Sequence, residues 1–190
     1  MSADPYRRDP AGAKRLHVVQ GEFAVSDDPQ IMMGTILGSC VAACMRDPLA
    51  GVGGMNHFLL PGGRRKQEGA EPEAVRYGVQ SMELLLNALY GMGARRDRLE
   101  VKLFGGARVV EGLSDIGLQN AAFAEKFLES EGIRHIGGSL RGDRARRVQF
   151  WPVSGRVRQM AVADPGRTVF EAERRGPPAR EPAQGAVELF

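Results

Sequence analysis

The chain has 190 residues, a length that suits one domain with a single sizeable core and short extensions. Its 26 basic and 23 acidic residues leave a formal net charge of only +3, and aromatic residues make up 6%. These values give neither the strong positive field nor the stacking platforms of nucleic-acid-binding proteins, so nucleic acid is not an expected partner.

The first residues predict a flexible lead. Residues 1–14 are polar and contain Pro5 and Pro10, a composition typical of disordered segments. They lack the apolar stretch of a signal peptide, and no apolar run in the chain approaches the ~20 residues that span a bilayer. We therefore expect a cytoplasmic protein that does not insert into a membrane.

Three short strands are predicted after this lead. Apolar and β-branched residues favour strands at residues 16–19, 22–25 and 31–37. The third strand leads into a Gly-Ser-Cys turn at residues 38–40.

A β-hairpin is predicted directly after that turn. Residues 41–46 and 51–60 are apolar and of strand length, and the Asp-Pro-Leu-Ala stretch between them has the composition of a turn. A loop at residues 47–50 places Cys40 opposite His57. Directly opposed residues have Cβ atoms roughly 4.5–5.5 Å apart, near enough for an imidazole to take a thiol proton.

A structural role for this cysteine and histidine is the competing interpretation. Free cysteine is among the most buried residue types, a lone histidine in a strand is often a core residue, and a one-residue change in register would put His57 on the other face. The surrounding glycines favour a functional site, because glycine weakens strands unless the backbone must bend or approach something closely. They are Gly34, Gly38, Gly51, Gly53 and Gly54.

The two cysteines, Cys40 and Cys44, are not expected to form a disulfide. Residues four apart on an extended strand are separated by about 13 Å at ~3.3 Å per residue, well beyond disulfide reach. The two cysteines and three histidines of the chain are widely spread and show no metal-site spacing. We therefore predict reduced thiols, no metal and no cofactor.

Two helices and four further strands are predicted after the hairpin. Apolar residues at helical spacing predict helices at residues 74–90 and 118–128. Strands are predicted at residues 99–104, 133–136, 147–151 and 157–162. This order predicts an α+β fold in which helices cover one face of a sheet and a second sheet covers the other.

The same pattern sets the predicted domain boundaries. Residues 1–14 are the flexible lead, and residues 15–165 form a single domain that carries the cysteine and histidine. Residues 166–190 are rich in proline and arginine and are predicted to be a flexible tail.

Several motifs, in order along the chain, closely resemble segments of the chemoreceptor glutamine deamidase CheD family of bacterial chemotaxis. Together they span about residues 16–162, and several motifs in sequence are more specific than any one of them. They are the runs at residues 34–48 and 51–61, Lys102-Leu-Phe-Gly-Gly-Ala107, Ile116-Gly-Leu-Gln-Asn120, the run at residues 142–148, and Ser154-Gly155.

The resemblance implies both a fold and an activity. The fold is two packed mixed β-sheets with helices on an outer face, similar to other cysteine deamidases. The activity is hydrolysis of selected glutamine side chains of methyl-accepting chemotaxis receptors to glutamate with release of ammonia, and hydrolysis of glutamyl methyl esters is a related reaction. Some family members also bind the chemotaxis phosphatase CheC, so a CheC-type phosphatase is a candidate partner. We expect a monomer.

The chemistry of this reaction fits the residues of the hairpin. Cys40 would attack the carboxamide carbon, and His57 would take the thiol proton and then deliver one to the departing ammonia. Backbone N–H groups around Ser39 and Cys40, freed by the turn at Gly38, are candidates to bind the oxyanion.

A third member of the site is implied by the resemblance. The family's triad resembles Cys-His-Thr, with the threonine in the strand before the cysteine, which corresponds here to Thr35. Thr35 lies five residues before Cys40, whereas a spacing of six falls on Gly34. Ser39 or Asn56 is therefore kept as an alternative support for the imidazole.

An arginine cluster and two competing functions complete the predictions. Arg144, Arg146 and Arg147 form either a solvated loop or a surface for a glutamate-rich receptor helix, and Arg146 is the candidate substrate-binding residue. The competing functions are a non-catalytic adaptor that binds receptors or a CheC-type phosphatase, and a cysteine hydrolase of the same fold that acts on another amide or ester.

Overall fold

The structure is a computed structural model that describes residues 14–60, 73–108 and 114–162. The predicted lead at residues 1–14 and the predicted tail at residues 166–190 lie, apart from Lys14, outside the described residues. The domain boundaries therefore stay predictions.

The described residues form nine strands and two α-helices, together with one short 3₁₀ turn at Arg96–Arg98. The predicted order of strands, helix, strand, helix and strands is confirmed. The strands are β1 (Lys14–His17), β2 (Phe23–Ser26), β3 (Ile31–Leu37), β4 (Val41–Asp47), β5 (Val52–Asn56), β6 (Glu100–Gly105), β7 (Arg134–Leu140), β8 (Arg146–Trp151) and β9 (Arg156–Ala161), and the helices are α1 (Glu73–Gly91) and α2 (Ser114–Ser130).

The strands form two mixed sheets. The first sheet has the order β1-β3-β8-β9, in which only β1 and β3 are parallel. The second sheet has the order β2-β5-β4-β6-β7, in which only β6 and β7 are parallel. The prediction of an α+β fold with two mixed sheets is confirmed.

The central strand β4 is buried on both faces. Successive side chains along a strand point to opposite faces, so neighbouring residues of β4 pack in different clusters. Val41 and Met45 pack in one apolar cluster with residues of α1 and α2. Ala42 and Cys44 pack in a second cluster that includes Met33 and other residues of the first sheet. The helices thus cover one face of the second sheet, and the first sheet covers the other, as predicted.

The hairpin between β4 and β5 has a different register from the predicted one. Asp47 pairs with Val52, so the loop consists of residues 48–51 and not 47–50. The prediction that Cys40 lies directly opposite His57 is therefore wrong by two residues.

Asp47 is the physical reason for this register. Its Oδ1 accepts hydrogen bonds from the backbone N–H groups of Leu49 and Ala50, at 2.9 and 3.0 Å, and its carbonyl oxygen accepts one from Gly51 at 3.0 Å. Gly51 has a φ of 69°, a left-handed conformation that suits glycine. Asp47 therefore ends the strand and caps the turn, which a sequence pattern of apolar runs does not reveal.

No helix in the described part of the chain is both long and apolar enough to cross a membrane.

Candidate active site

Cys40 and His57 lie on the same face of the second sheet, although they are not directly opposed. Val41 and Phe58 pair through two backbone hydrogen bonds of 2.9 Å, which continues the hairpin register beyond the named strands. Cys40 is then diagonal to His57. Diagonal neighbours have Cα atoms about 7–8 Å apart, still within reach of a long side chain. A register shift of two residues keeps the alternation of faces, so both side chains point towards the first sheet.

The His57 ring is held through its Nδ1 atom. Nδ1 lies 2.9 Å from Oγ1 of Thr35 and 3.3 Å from the carbonyl oxygen of Val18. A carbonyl oxygen can only accept, so Nδ1 carries the hydrogen and Nε2 keeps its lone pair. Nε2 is buried and has no hydrogen-bond partner among the described residues. His57 can therefore accept a proton at Nε2.

Thr35 reaches this ring from the first sheet. It is buried in β3 between Met33 and Leu37, whose side chains belong to the core between the two sheets. Thr35 points the same way, because residues two apart in a strand share a face. The spacing of five residues before Cys40 therefore brings a hydroxyl to His57 across the sheet interface.

Burial makes His57 a neutral imidazole at neutral pH. Burial lowers the pKa of His57 from 6.5 to about 4, while the carbonyl oxygen of Val18 raises it and the nearby His17 lowers it further. The resting ring is therefore in the form that a general base requires.

The two cysteines share a face and belong to the same apolar cluster, but their thiols have different neighbours. Cys40 is only 1% exposed, and its Sγ lies 3.5 Å from Oε1 of Gln20. Cys44 lies in the core between the sheets, and burial strongly raises the pKa of its thiol. Cys44 is therefore a packing residue.

Gln20 was not identified from the sequence. It lies in the segment of residues 18–22, which passes from β1 in the first sheet to β2 in the second. The N–H of Gly21 donates to the carbonyl oxygen of His57 at 2.7 Å, and the N–H of His57 donates to that of Glu22 at 3.0 Å. This crossing brings Gln20 to the thiol, and no local pattern signals it.

The carbonyl groups of residues 38–40 all accept hydrogen bonds, two from the loop after β6 and one from α2, an arrangement that we call the carbonyl clamp. The N–H of Ala107 donates to the Gly38 oxygen at 2.9 Å, and the N–H of Gly106 donates to the Cys40 oxygen at 2.7 Å. Nδ2 of Asn120 donates to the Ser39 oxygen at 2.9 Å. In a planar trans peptide the N–H points opposite to the C=O, so the Ser39 N–H points away from Ala107 and the Cys40 N–H points away from Asn120.

Asn120 connects this clamp to the segment after β5 that carries His57. Its side chain is fully buried, and its Oδ1 accepts a hydrogen bond from the N–H of Leu60 at 2.8 Å. The sequence placed Asn120 in a family-like motif but gave it no role. Its role is indicated by a buried side chain whose oxygen and nitrogen both form hydrogen bonds, and this is visible only in the folded structure.

Gly105 allows the loop that carries Gly106 and Ala107 to lie close to the backbone of Cys40. Its φ is 105°, and a Cβ atom there would lie 2.1 Å from the carbonyl oxygen of Cys40. Any larger residue would displace the loop that carries Gly106 and Ala107.

The remaining predicted site residues have the following positions. Gly38 and Ser39 form the turn before β4 and belong to the clamp. Asn56 points to the helices: its Oδ1 accepts from the N–H of Ala43 at 2.9 Å, and its Nδ2 donates to the carbonyl oxygen of Ser81 at 3.2 Å. The structure therefore does not bring its amide to the face that carries the His57 ring.

Arg146 lies at the start of β8 and is buried. Its Nη1 donates to the carbonyl oxygen and to Oγ of Ser139, both at 2.7 Å, and its Nη2 donates to the carbonyl oxygen of Arg141. Burial lowers the pKa of Arg146, although Asp143 partly offsets the effect. The guanidinium lines a surface cavity formed mainly by residues 139–146. Its role in substrate binding stays a prediction.

The site thus combines a thiol, a neutral imidazole and directed backbone donors. These groups can carry out nucleophilic attack, proton transfer and oxyanion binding. Within the described ranges, no group of three or more histidine, cysteine, aspartate and glutamate side chains could hold a metal ion.

Comparisons with known proteins agree on one family. A family model described as CheD chemotactic sensory transduction matches residues 59–161. A probable chemoreceptor glutamine deamidase CheD of Acidiphilium cryptum is 57% identical over 185 residues, covering 95% of this chain and 96% of the relative. A protein of the same name from Caulobacter sp. strain K31 is 53% identical over 192 residues and the whole of both chains.

Among solved structures, the Neisseria meningitidis protein NMB0706 is similar with a TM-score of 0.45 and 11% identity, over 69% of this chain and 65% of that one.

Proposed function

The chain belongs to the CheD chemotactic sensory transduction family, and on this premise we propose that it deamidates chemoreceptors by cysteine catalysis. The substrates are selected glutamine side chains of methyl-accepting chemotaxis receptors, which become glutamate with release of ammonia. The prediction of an enzyme that hydrolyses a glutamine carboxamide is confirmed by relatives of that name at 53–57% identity over nearly the full chain.

The first half of the reaction forms a thioester. Nε2 of His57 takes the proton from Sγ of Cys40, and the sulfur attacks the carboxamide carbon to give a tetrahedral intermediate. The C–N bond then breaks, and the proton on His57 passes to the leaving nitrogen, which departs as ammonia.

The second half regenerates the enzyme. His57 takes a proton from a water molecule, whose oxygen attacks the thioester carbon. The C–S bond breaks, the proton returns to the thiolate, and the side chain leaves as glutamate.

The negative oxygen of each tetrahedral intermediate needs hydrogen-bond donors. The N–H groups of Ser39 and Cys40 are assigned this role, because the carbonyl clamp holds the opposite edges of their peptides. Gly38 contributes the turn that makes this orientation possible.

The observation that carries this proposal is the arrangement of His57. Thr35 and Val18 hold its Nδ1–H, and the buried Nε2 is left with a lone pair on the face that carries Cys40. Thr35 is proposed to orient the ring, as the third group does in related triads.

A non-catalytic adaptor is the second candidate function. The observation that favours it is burial, since Cys40 is 1% exposed and His57 is 5% exposed. An adaptor would bind receptors or a CheC-type phosphatase through the same fold. A cytoplasmic monomer is part of both proposals.

Mass spectrometry of a receptor cytoplasmic fragment separates the two candidates. Replacement of an amide NH2 by OH adds about 1 Da, and this gain is expected with the wild-type protein but not with Cys40→Ala. Cys44→Ala is the matched control and is expected to keep the activity. A gain with Cys40→Ala would contradict cysteine catalysis, and no gain with the wild type on receptors of the same organism would favour the adaptor.

A further inference from the structure

A second carboxamide lies beside the nucleophile. Oε1 of Gln20 is 3.5 Å from Sγ of Cys40 and accepts its S–H hydrogen. Cys40 is buried, whereas Gln20 is only half-buried. Gln20 therefore contacts the buried thiol and is also partly exposed to solvent, from which a receptor side chain must arrive.

The backbone fixes Gln20 relative to the imidazole. The N–H of Val18 donates to the carbonyl oxygen of Gly34 at 3.0 Å, and the neighbouring Gly21 and Glu22 are both bonded to the backbone of His57. Both ends of the segment are thus tied to strands that carry site residues. Its carboxamide is held as part of the site.

The chemistry of attack brings the substrate amide to this group. The carboxamide carbon must come within about 3–3.5 Å of Sγ, with its oxygen directed to the N–H groups of Ser39 and Cys40. The NH2 group on that carbon then points in a different direction from the oxygen and lies at a similar distance from Sγ. An acceptor already in hydrogen-bond contact with Sγ is within reach of it.

Gln20 Oε1 offers that acceptor. A glutamine NH2 has two hydrogens to donate, whereas a carboxylate or an ester oxygen can only accept. An acceptor at this position therefore gains a hydrogen bond from the amide that neither the glutamate product nor the methyl ester can make.

We propose that Gln20 is a specificity-determining residue, which accepts a hydrogen bond from the substrate carboxamide nitrogen and selects glutamine over glutamate and its methyl ester. This inference rests on the proposed deamidase function and deepens it.

The test compares two substrates in one receptor fragment. The target side chain is either glutamine or glutamyl methyl ester, and kcat/KM is measured for each with the wild type and with Gln20→Met, which keeps the unbranched chain but removes the amide. The amide kcat/KM is expected to fall about 3- to 10-fold, the worth of one hydrogen bond, while the ester value is unchanged. The ratio of amide to ester rates therefore falls by the same factor.

Two further variants make the result decisive. Gln20→Leu repeats the test in case Gln20→Met folds poorly, which thermal denaturation would reveal. Gln30→Leu is the matched control, because Gln30 is an exposed glutamine whose backbone N–H donates to Asp28 and whose carbonyl oxygen accepts from Lys14. Both rates and their ratio are expected to stay unchanged in that variant.

The other outcomes overturn the inference in distinguishable ways. An unchanged ratio, or an equal fall in both rates in a stable variant, contradicts the role of Gln20 but leaves the deamidase function intact. If neither the wild type nor Gln20→Met hydrolyses the ester, only the amide rates can be compared. An amide kcat/KM that is the same in both proteins then contradicts the role of Gln20. A wild type that acts on neither substrate contradicts the deamidase function and this inference together.

Discussion

Thr35 and His57 belong to different sheets, and a hydrogen bond of 2.9 Å joins Oγ1 of one to Nδ1 of the other. The imidazole is therefore oriented across the interface between the sheets, while Cys40 shares its sheet with His57. Packing of the two sheets is a condition for the proposed chemistry.

Thr35→Val tests this connection. The valine keeps the shape of the side chain but removes the oxygen, and kcat is expected to fall about 10-fold, since one hydrogen bond is worth ~1 kcal/mol or somewhat more. Thr35→Ser keeps the hydroxyl and should retain most of the activity. Equal kcat values for the wild type and Thr35→Val would assign the orientation of the ring to the Val18 carbonyl alone.

The buried His57 also predicts a pH-dependent stability. An unfolded histidine takes up a proton near pH 6.5, whereas folded His57 resists it until about pH 4. The unfolded state therefore binds more protons in this window, and the free energy of unfolding falls as the pH falls through it. The loss is roughly 3 kcal/mol when complete, and the contribution is fully present above pH 6.5.

Urea unfolding at several pH values between 4 and 7 measures this effect. Carboxyl groups titrate over part of the same range, so the relevant quantity is the difference in slope between the wild type and His57→Gln. His135→Gln, which makes the same substitution at an exposed histidine, is the control, and His57→Gln is expected to flatten the slope relative to the wild-type slope. A His57→Gln variant with that same slope would contradict a neutral buried imidazole.

The two thiols are expected to react at different rates. Burial raises the pKa of Cys44 and keeps it protonated, whereas Cys40 lies beside the proposed base. Iodoacetamide should therefore label Cys44→Ala, which retains Cys40, faster than Cys40→Ala, which retains Cys44. Equal, slow labelling of the two variants would favour the adaptor.

Asn120→Ala tests the carbonyl clamp. The variant leaves the Ser39 carbonyl and the Leu60 N–H without their partner, so we expect a loss of about 1–3 kcal/mol in the free energy of unfolding. We also expect a fall of about 10-fold in kcat with little change in KM, because the oxyanion donors lose their orientation.

Asn56→Ala is the comparison for this prediction. It removes a second buried amide that also joins a strand to a helix, but on the face towards α1. A greater loss of kcat in Asn56→Ala than in Asn120→Ala, at similar stability, would move the supporting role to Asn56.

The elements that the sequence predicted best are those with a strong local pattern. The bounds of β3 agree with the predicted strand at residues 31–37, and α1 differs from the predicted helix by one residue at each end. The strand predicted at residues 133–136 instead begins at Arg134 and continues to Leu140. Its glycines resemble a break, but a Cβ on Gly138 would lie 1.9 Å from the carbonyl oxygen of Leu103, so the close approach of the two strands requires glycine.

The residues of the candidate site divide in the same way, into those that a local sequence pattern predicts and those that it does not. Cys40 and His57 lie in one hairpin, so the local sequence pattern predicted that they are close. The predicted register was wrong by two residues, which leaves both side chains on the same face of the sheet. Gln20 and Asn120 come from a segment between the sheets and from a helix, and their contacts depend on how distant elements pack. No periodicity or spacing along the chain encodes such contacts.

The neighbour of Thr35 in the first sheet has a further consequence for the newly made protein. Thr35 pairs with Val148 of β8, and β8 pairs with β9, so this sheet is completed by the last strands of the described chain. During synthesis the Cys40 hairpin leaves the ribosome long before those strands exist, and contacts between distant segments form slowly. We expect the nascent chain to become catalytically competent only after β9 has been translated. The Cys40 thiol is therefore synthesised long before it can act as a nucleophile.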